Sequence, residues 1–123
     1  MKSDDVRVVV VDDVRDVAES LALALEMDGY SVRIALEGVG ALAVIEEHRP
    51  HCVLLDINMP GIDGVELSKR LRERYGDDMV LIAVTGWGHE DDRISAAFAR
   101  IDHYLRKPVD PDKLRKLLPP LHP

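Results

Sequence analysis

The chain has 123 residues, the size of one ordinary domain, and is expected to form one unit with its core at about 6–118 and a tail at 119–123. Hydrophobic residues make up 46% of it, enough for a full core and too many for wholesale disorder. The excess of 23 Asp+Glu over 16 Lys+Arg leaves a net charge of −7, which argues against unaided binding to nucleic acid or an anionic membrane, and no apolar run approaches the ~20 residues of a bilayer span.

Strand and helix signals alternate along the chain. Val8-Val9-Val10-Val11 is a β-branched apolar run of the kind found in parallel strands buried on both faces. Val17, Leu21 and Leu25 then recur at helical spacing, and Gly29 supplies a stop. Ser31–Ala35 reads as a more polar edge strand. Ala41, Leu42 and Ile45 mark a second helix, ended by Arg49-Pro50.

Val53-Leu54-Leu55 is the third strand. Cys52 before it, the only cysteine, reads as a small buried thiol and excludes an internal disulfide or a cysteine-based zinc cluster. The third helix carries Leu67, Leu71 and Tyr75, with Asp63 as N-cap, Glu66 three residues on, and Gly76 at its end. Val80–Val84 is a fourth strand. Ile94, Ala97, Phe98 and Ile101 mark a fourth helix, which Glu90-Asp91-Asp92 opens at the positive end of its dipole. His103–Arg106 is a second edge strand. Asp110-Pro111 opens a fifth helix with Leu114, Leu117 and Leu118 inward, closed by Pro119-Pro120. His48, His51, His89, His103 and His122 show no metal-ligand spacing and read as surface residues.

Five βα units imply a doubly wound α/β fold: a five-stranded parallel sheet, order 2-1-3-4-5, with five helices on its two faces. Ligands of such sheets sit beyond the carboxyl ends of the strands. At those ends stand Asp12-Asp13, Asp56 with Asn58, Thr85-Gly86, and Lys107-Pro108. Three carboxylates in one crevice repel one another and need a counter-charge. With oxygen donors and no cysteine or histidine at hand, Mg2+ is favoured, with Mn2+ the second choice. An ammonium and a hydroxyl beside such a metal can hold phosphoryl oxygens, and one of the carboxylates can serve as the nucleophile. Each residue alone has an ordinary reading: Asp12 or Asp13 as a helix cap, Lys107 as a solvated edge lysine, Thr85 as a turn residue. Their convergence at four strand ends is what points to chemistry.

Over nearly its whole length, roughly Val6 to Leu118, the chain resembles a response-regulator receiver domain of two-component signalling. The likeness lies in Val10-Val11-Asp12-Asp13, Leu55-Asp56-Ile57-Asn58-Met59-Pro60-Gly61-Ile62-Asp63-Gly64, Val84-Thr85-Gly86 and Tyr104-Leu105-Arg106-Lys107-Pro108. The resemblance implies a flavodoxin-like fold and a phosphoacceptor switch rather than a turnover enzyme. It implies Asp56 as the phosphoacceptor, Asp13 as a direct Mg2+ ligand, Asp12 acting through water, and Asn58 offering its backbone carbonyl. It assigns Thr85, Gly86 and Lys107 to the phosphoryl group and Tyr104 to the accompanying switch, with a cis bond before Pro108. A histidine kinase or histidine phosphotransfer protein would be the donor. The downstream protein target is not named by the sequence, and a cytoplasmic location is expected. Phosphorylation would be read out on the face made by the fourth helix, fifth strand and fifth helix.

Two other readings compete. A small phosphohydrolase with an aspartyl nucleophile resembles Asp-x-Asp after the first strand, whereas the acids here are adjacent. A degenerate receiver acting only as a binding module is opposed by the intact Asp13, Asp56, Thr85 and Lys107. Two positions depart from the family pattern: Arg100, where glycine is common, and the bulky Trp87 beside the site.

Overall fold

The computed structural model describes residues 6–86 and 100–120. Its elements in chain order are β1 (Arg7–Val11), α1 (Arg15–Met27), β2 (Ser31–Ala35), α2 (Gly38–His48), β3 (Cys52–Asp56), α3 (Gly64–Tyr75), β4 (Val80–Thr85), β5 (His103–Arg106) and α4 (Pro111–Leu117). The strands form one parallel sheet in the order β2-β1-β3-β4-β5. The described residues hold four helices against the five expected. The missing one, expected from Ile94, Ala97, Phe98 and Ile101, lies outside the described residues except for Ile101, which is buried but not helical; Trp87, His89, Glu90-Asp91-Asp92 and His122 also lie outside them.

The unbroken apolar runs follow from the layering. Side chains of one strand alternate between faces, and both faces here are covered. Val9, Val11, Val53, Leu55, Leu81 and Ala83 pack against Ala41 and Ile45 of α2 and Leu67 and Leu71 of α3. Val8, Val10, Leu54, Ile82 and Val84 pack against Ala18, Leu21 and Leu25 of α1 and Leu114 of α4. Each such fully buried Leu or Ile is worth about 2 kcal/mol over an exposed one. Cys52 is fully buried, and burial pushes its thiol far above the ordinary range, so it is an inert core residue.

Helix ends follow the residues assigned to them. The Asp63 carboxylate accepts the Glu66 N–H at 2.9 Å, starting α3. Gly76 ends it at φ 62°, and Arg49 ends α2 in the left-handed region at φ 51° before Pro50. Gly64 is needed for a different reason: a Cβ there would fall on the Asp56 carbonyl oxygen and 2.9 Å from Ile57 Cα. The glycine lets the first turn of α3 press against the backbone that carries Asp56.

One expectation is corrected. His48, His51 and His103 are not surface residues but half-buried. The His51 Nδ1 accepts the Arg7 N–H at 3.0 Å, and His48 Nε2 lies 3.1 Å from the Ser31 carbonyl. Both rings fill the amino-terminal edge of the sheet, where free strand groups need partners. No described helix is long and apolar enough to cross a membrane.

Candidate functional site

Parallel strands bring all their carboxyl ends to one edge, so the residues that follow β1, β3, β4 and β5 meet there. Asp12 directly follows β1 and is 3% exposed; its N–H bonds the Ala35 carbonyl at 3.1 Å. One of its oxygens accepts the Val14 N–H at 2.9 Å. Val14, not an aspartate, is the N-cap of α1, and no side chain caps that helix, so the ordinary capping reading of Asp12 and Asp13 does not hold. Asp56 closes β3, also 3% exposed, and its Oδ1 accepts the Asn58 N–H at 3.0 Å. Asp13 is exposed at the mouth.

Lys107 joins the two buried acids. Its Nζ lies 3.1 Å from Asp56 Oδ2 and 3.2 Å from Asp12 Oδ2. The lysine is held in place from behind by its own N–H, which donates to the Thr85 carbonyl at 2.8 Å, and the Lys107–Pro108 peptide is cis. Thr85 ends β4 half-exposed beside the exposed Gly86. Asn58 is exposed, and Tyr104 on β5 is 49% exposed. The structure thus brings Asp12, Asp13, Asp56 and Lys107 into contact range, sets Asn58, Thr85 and Gly86 at the rim, and leaves Tyr104 at the outer edge.

Burial pushes the Asp56 carboxyl up; the Asn58 N–H and Lys107 pull it back in part, and the Asp12 charge adds to the rise. Burial alone would pull the Lys107 ammonium down, but its bonds and charge contacts with Asp56 and then Asp12 outweigh that, and the net shift is upward. The proton therefore stays on the amine. One ammonium bonds two of the three clustered carboxylates.

Carboxylate oxygens of Asp12, Asp13 and Asp56 all lie within 4.8 Å of one another, and no other such trio occurs among the described residues. The donors are oxygens, two buried and one open to solvent, with charge left over after Lys107. That set fits a hard divalent cation that keeps part of its water shell. Sequence reasoning had found every one of these side chains. It gave no role to Gly64, whose signal was a glycine directly after the N-cap Asp63, and missed the buried Arg72, which carried none.

A family model described as the response regulator receiver domain matches residues 8–119. The response regulator MprA of Mycobacterium sp. (strain KMS) is 42% identical over 109 residues, which cover 89% of this chain and 47% of that protein. The chain therefore spans about half the length of the curated relatives it matches. Among solved structures, a CheY-like receiver domain protein from Methanospirillum hungatei JF-1 superposes with a TM-score of 0.83 at 32% identity, covering 91% of this chain and 89% of that one. The response regulator protein TrrA from Thermotoga maritima, solved in complex with Mg2+–BeF, superposes with a TM-score of 0.78 at 33% identity, covering 90% of this chain and 94% of that one.

Proposed function

The chain belongs to the response-regulator receiver family of two-component signalling, and on that premise we propose that Asp56 is its phosphoacceptor. The observation that carries this is the Lys107 ammonium seated between Asp12 and Asp56, at 3.2 and 3.1 Å, on a buried and under-neutralised acidic edge. A phosphohistidine of a histidine kinase or phosphotransfer protein is the donor. An Asp56 oxygen attacks phosphorus, the P–N bond breaks, and the electron pair returns to the imidazole. Asp13 and Asp56, with the Asn58 backbone carbonyl, would hold Mg2+, and Asp12 would act on it through water. Once bound, it supplies positive charge that offsets the phosphoryl oxygens.

The protein's own groups do the rest. Lys107 takes one phosphoryl oxygen, and Thr85 with Gly86 takes another. The added negative charge draws Thr85 inward. Tyr104 and the face formed by β5, α4 and the helix expected before residue 100 respond to that movement. The unit acts as one receiver domain with its tail at 119–123, working as a cytoplasmic switch with no turnover chemistry of its own. The adjacent acids and the family match do not favour a phosphohydrolase, and the assembled site does not favour a degenerate module.

The test is incubation with a small acyl-phosphate donor, with and without Mg2+, read by intact mass. One phosphoryl group should appear only with Mg2+, and not at all in Asp56→Asn. Thr85→Ala should still be modified but lose the amide shifts along β5 and α4; persistence of those shifts would remove Thr85 from the switch.

A further inference from the structure

Among the described residues the buried polar or charged side chains are Asp12, Asp56, Ser68 and Arg72, the last 4% exposed near the end of α3. It lies at the opposite end of the strands from the acidic site, and the phosphoacceptor chemistry does not use it. Its Nε donates to the Arg100 carbonyl at 2.8 Å. One terminal nitrogen donates to the Gly76 and Met79 carbonyls at 3.0 and 2.9 Å, and the other to Asp102 Oδ2 at 2.8 Å. The same Asp102 oxygen accepts the Leu81 N–H at 2.8 Å, while the Asp102 N–H bonds the Leu81 carbonyl at 2.9 Å. A guanidinium and a carboxylate thus fasten the entrance of β4 to the entrance of β5.

β5 is a four-residue edge strand, with only β4 beside it. Its register runs from Ile82↔His103 to Thr85↔Arg106. Edge strands this short are weakly specified by their own pairing. The next residue is Lys107, whose place against Asp12 and Asp56 depends on that register. β5 is therefore pinned at both ends by a cation: Lys107 in the acidic crevice and Arg72 at the entrance.

We propose that the Arg72–Asp102 pair is a positioning device for Lys107, fixing the register of β5 on β4 and so the seat of the ammonium between Asp12 and Asp56. The idea rests on the phosphoacceptor reading for its consequence, though not for its geometry. Arg72 is buried while Asp102 is partly open to solvent, so removing the carboxylate leaves a buried guanidinium short of its nearest counter-charge and frees the strand entrance to shift. Of the three acids, Asp12 and Asp13 follow β1 and Asp56 ends β3, so they keep their places. Capture of the phosphoryl group should suffer while the metal site does not.

The test compares wild type with Asp102→Asn and Arg72→Lys, two changes that keep side-chain size. Hydrogen exchange of the Lys107 amide, which bonds the Thr85 carbonyl, should quicken in both variants while amides of β1 and β3 stay protected. The rate of phosphoryl gain from a small acyl-phosphate donor at saturating Mg2+ should fall about tenfold, as expected when a support of a reactive group is loosened. The midpoint of Mg2+-induced amide shifts at Asp13 should not move. Unchanged Lys107 exchange in both variants would overturn the proposal. So would a rate loss that merely tracks weaker Mg2+ binding or exchange rising equally in all strands, since either marks general loosening. The exchange measurement needs no donor, so an unmodifiable wild type would sink the phosphoacceptor reading and leave the clamp to be judged separately.

Discussion

The two edges of the sheet are both polar, but they are balanced differently. At the amino edge Arg7, His48 and His51 are bonded to one another and to the backbone around them. Arg7 gives its Nε–H to the His48 and Arg49 carbonyls, each at 2.9 Å, and its backbone N–H to the His51 ring, while the His51 N–H bonds the Arg7 carbonyl at 2.8 Å. At the carboxyl edge three carboxylates cluster together and one amine bridges two of them. The first arrangement is complete and stabilises the fold. The second is left with net negative charge that only an added cation can neutralise. Unbalanced charge held in a stiff frame marks where a ligand belongs.

That contrast breaks most sharply at the acidic edge. Asp56→Asn should abolish phosphoryl gain outright by intact mass while the protein stays folded, because the amide oxygen can still accept the Asn58 N–H. Lys107→Ala removes the one ammonium and should slow acceptor formation about 100-fold, the usual cost of deleting a positioned donor; a rate within error of wild type would mean the bridge is a resting contact only. Adding Mg2+ should then stabilise the fold by about 2.7 kcal/mol at a hundredfold excess over Kd, read as a shift in the denaturant midpoint and reversed by a chelator. In Asp13→Asn that shift should shrink, whereas His51→Gln at the other edge should leave it intact.

Much of this was legible in the residue order, for reasons that name themselves. The Val8–Val11 and Val80–Val84 runs are apolar on both faces because helices cover both, which dictates parallel strands. A parallel sheet in turn sends Asp12, Asp56, Thr85 and Lys107 to one edge. The Asp63–Glu66 cap is local chemistry and was readable as such. Arg72 was not. It sits in the run Lys69-Arg70-Leu71-Arg72-Glu73-Arg74, where six residues carry five charges, and nothing local says which one turns inward. Its partners, Met79, Arg100 and Asp102, come from turns that meet only in the fold. The histidines at 48 and 51 were misread for the same reason, since isolated polar residues reveal their partners only once strands are paired.

The next prediction is smaller and opposite in sign. Without Mg2+, Asp12→Asn should raise stability by about 1 kcal/mol, the range typical of relieving strain at a functional site. The amide can still take the Val14 N–H, one like charge beside Asp56 disappears, and acceptor formation should slow. A loss of stability by chemical denaturation would mean the acidic edge is already balanced by Lys107, and the contrast between the edges would fail.

The smallest effect belongs to the amino edge and appears with acid. Burial first, then the charge of Arg7 and the neighbouring His48, holds the His51 ring below its ordinary pKa of 6.5 in the folded chain. Its Nδ1 must stay unprotonated to accept the Arg7 N–H at 3.0 Å. The unfolded chain has no such constraint and takes up its proton near the ordinary value. As pH falls through that value the unfolded state gains a proton the folded state resists, so stability drops, and the loss levels off once pH passes below the depressed folded value. Its size should not exceed the worth of one hydrogen bond, about 1 kcal/mol. Chemical denaturation of the Asp56→Asn protein from pH 7.5 downward should show this slope, and His51→Gln, which keeps an acceptor but cannot titrate, should flatten it. A slope that survives the glutamine would assign the acid sensitivity to the carboxylates and leave the amino edge inert to pH.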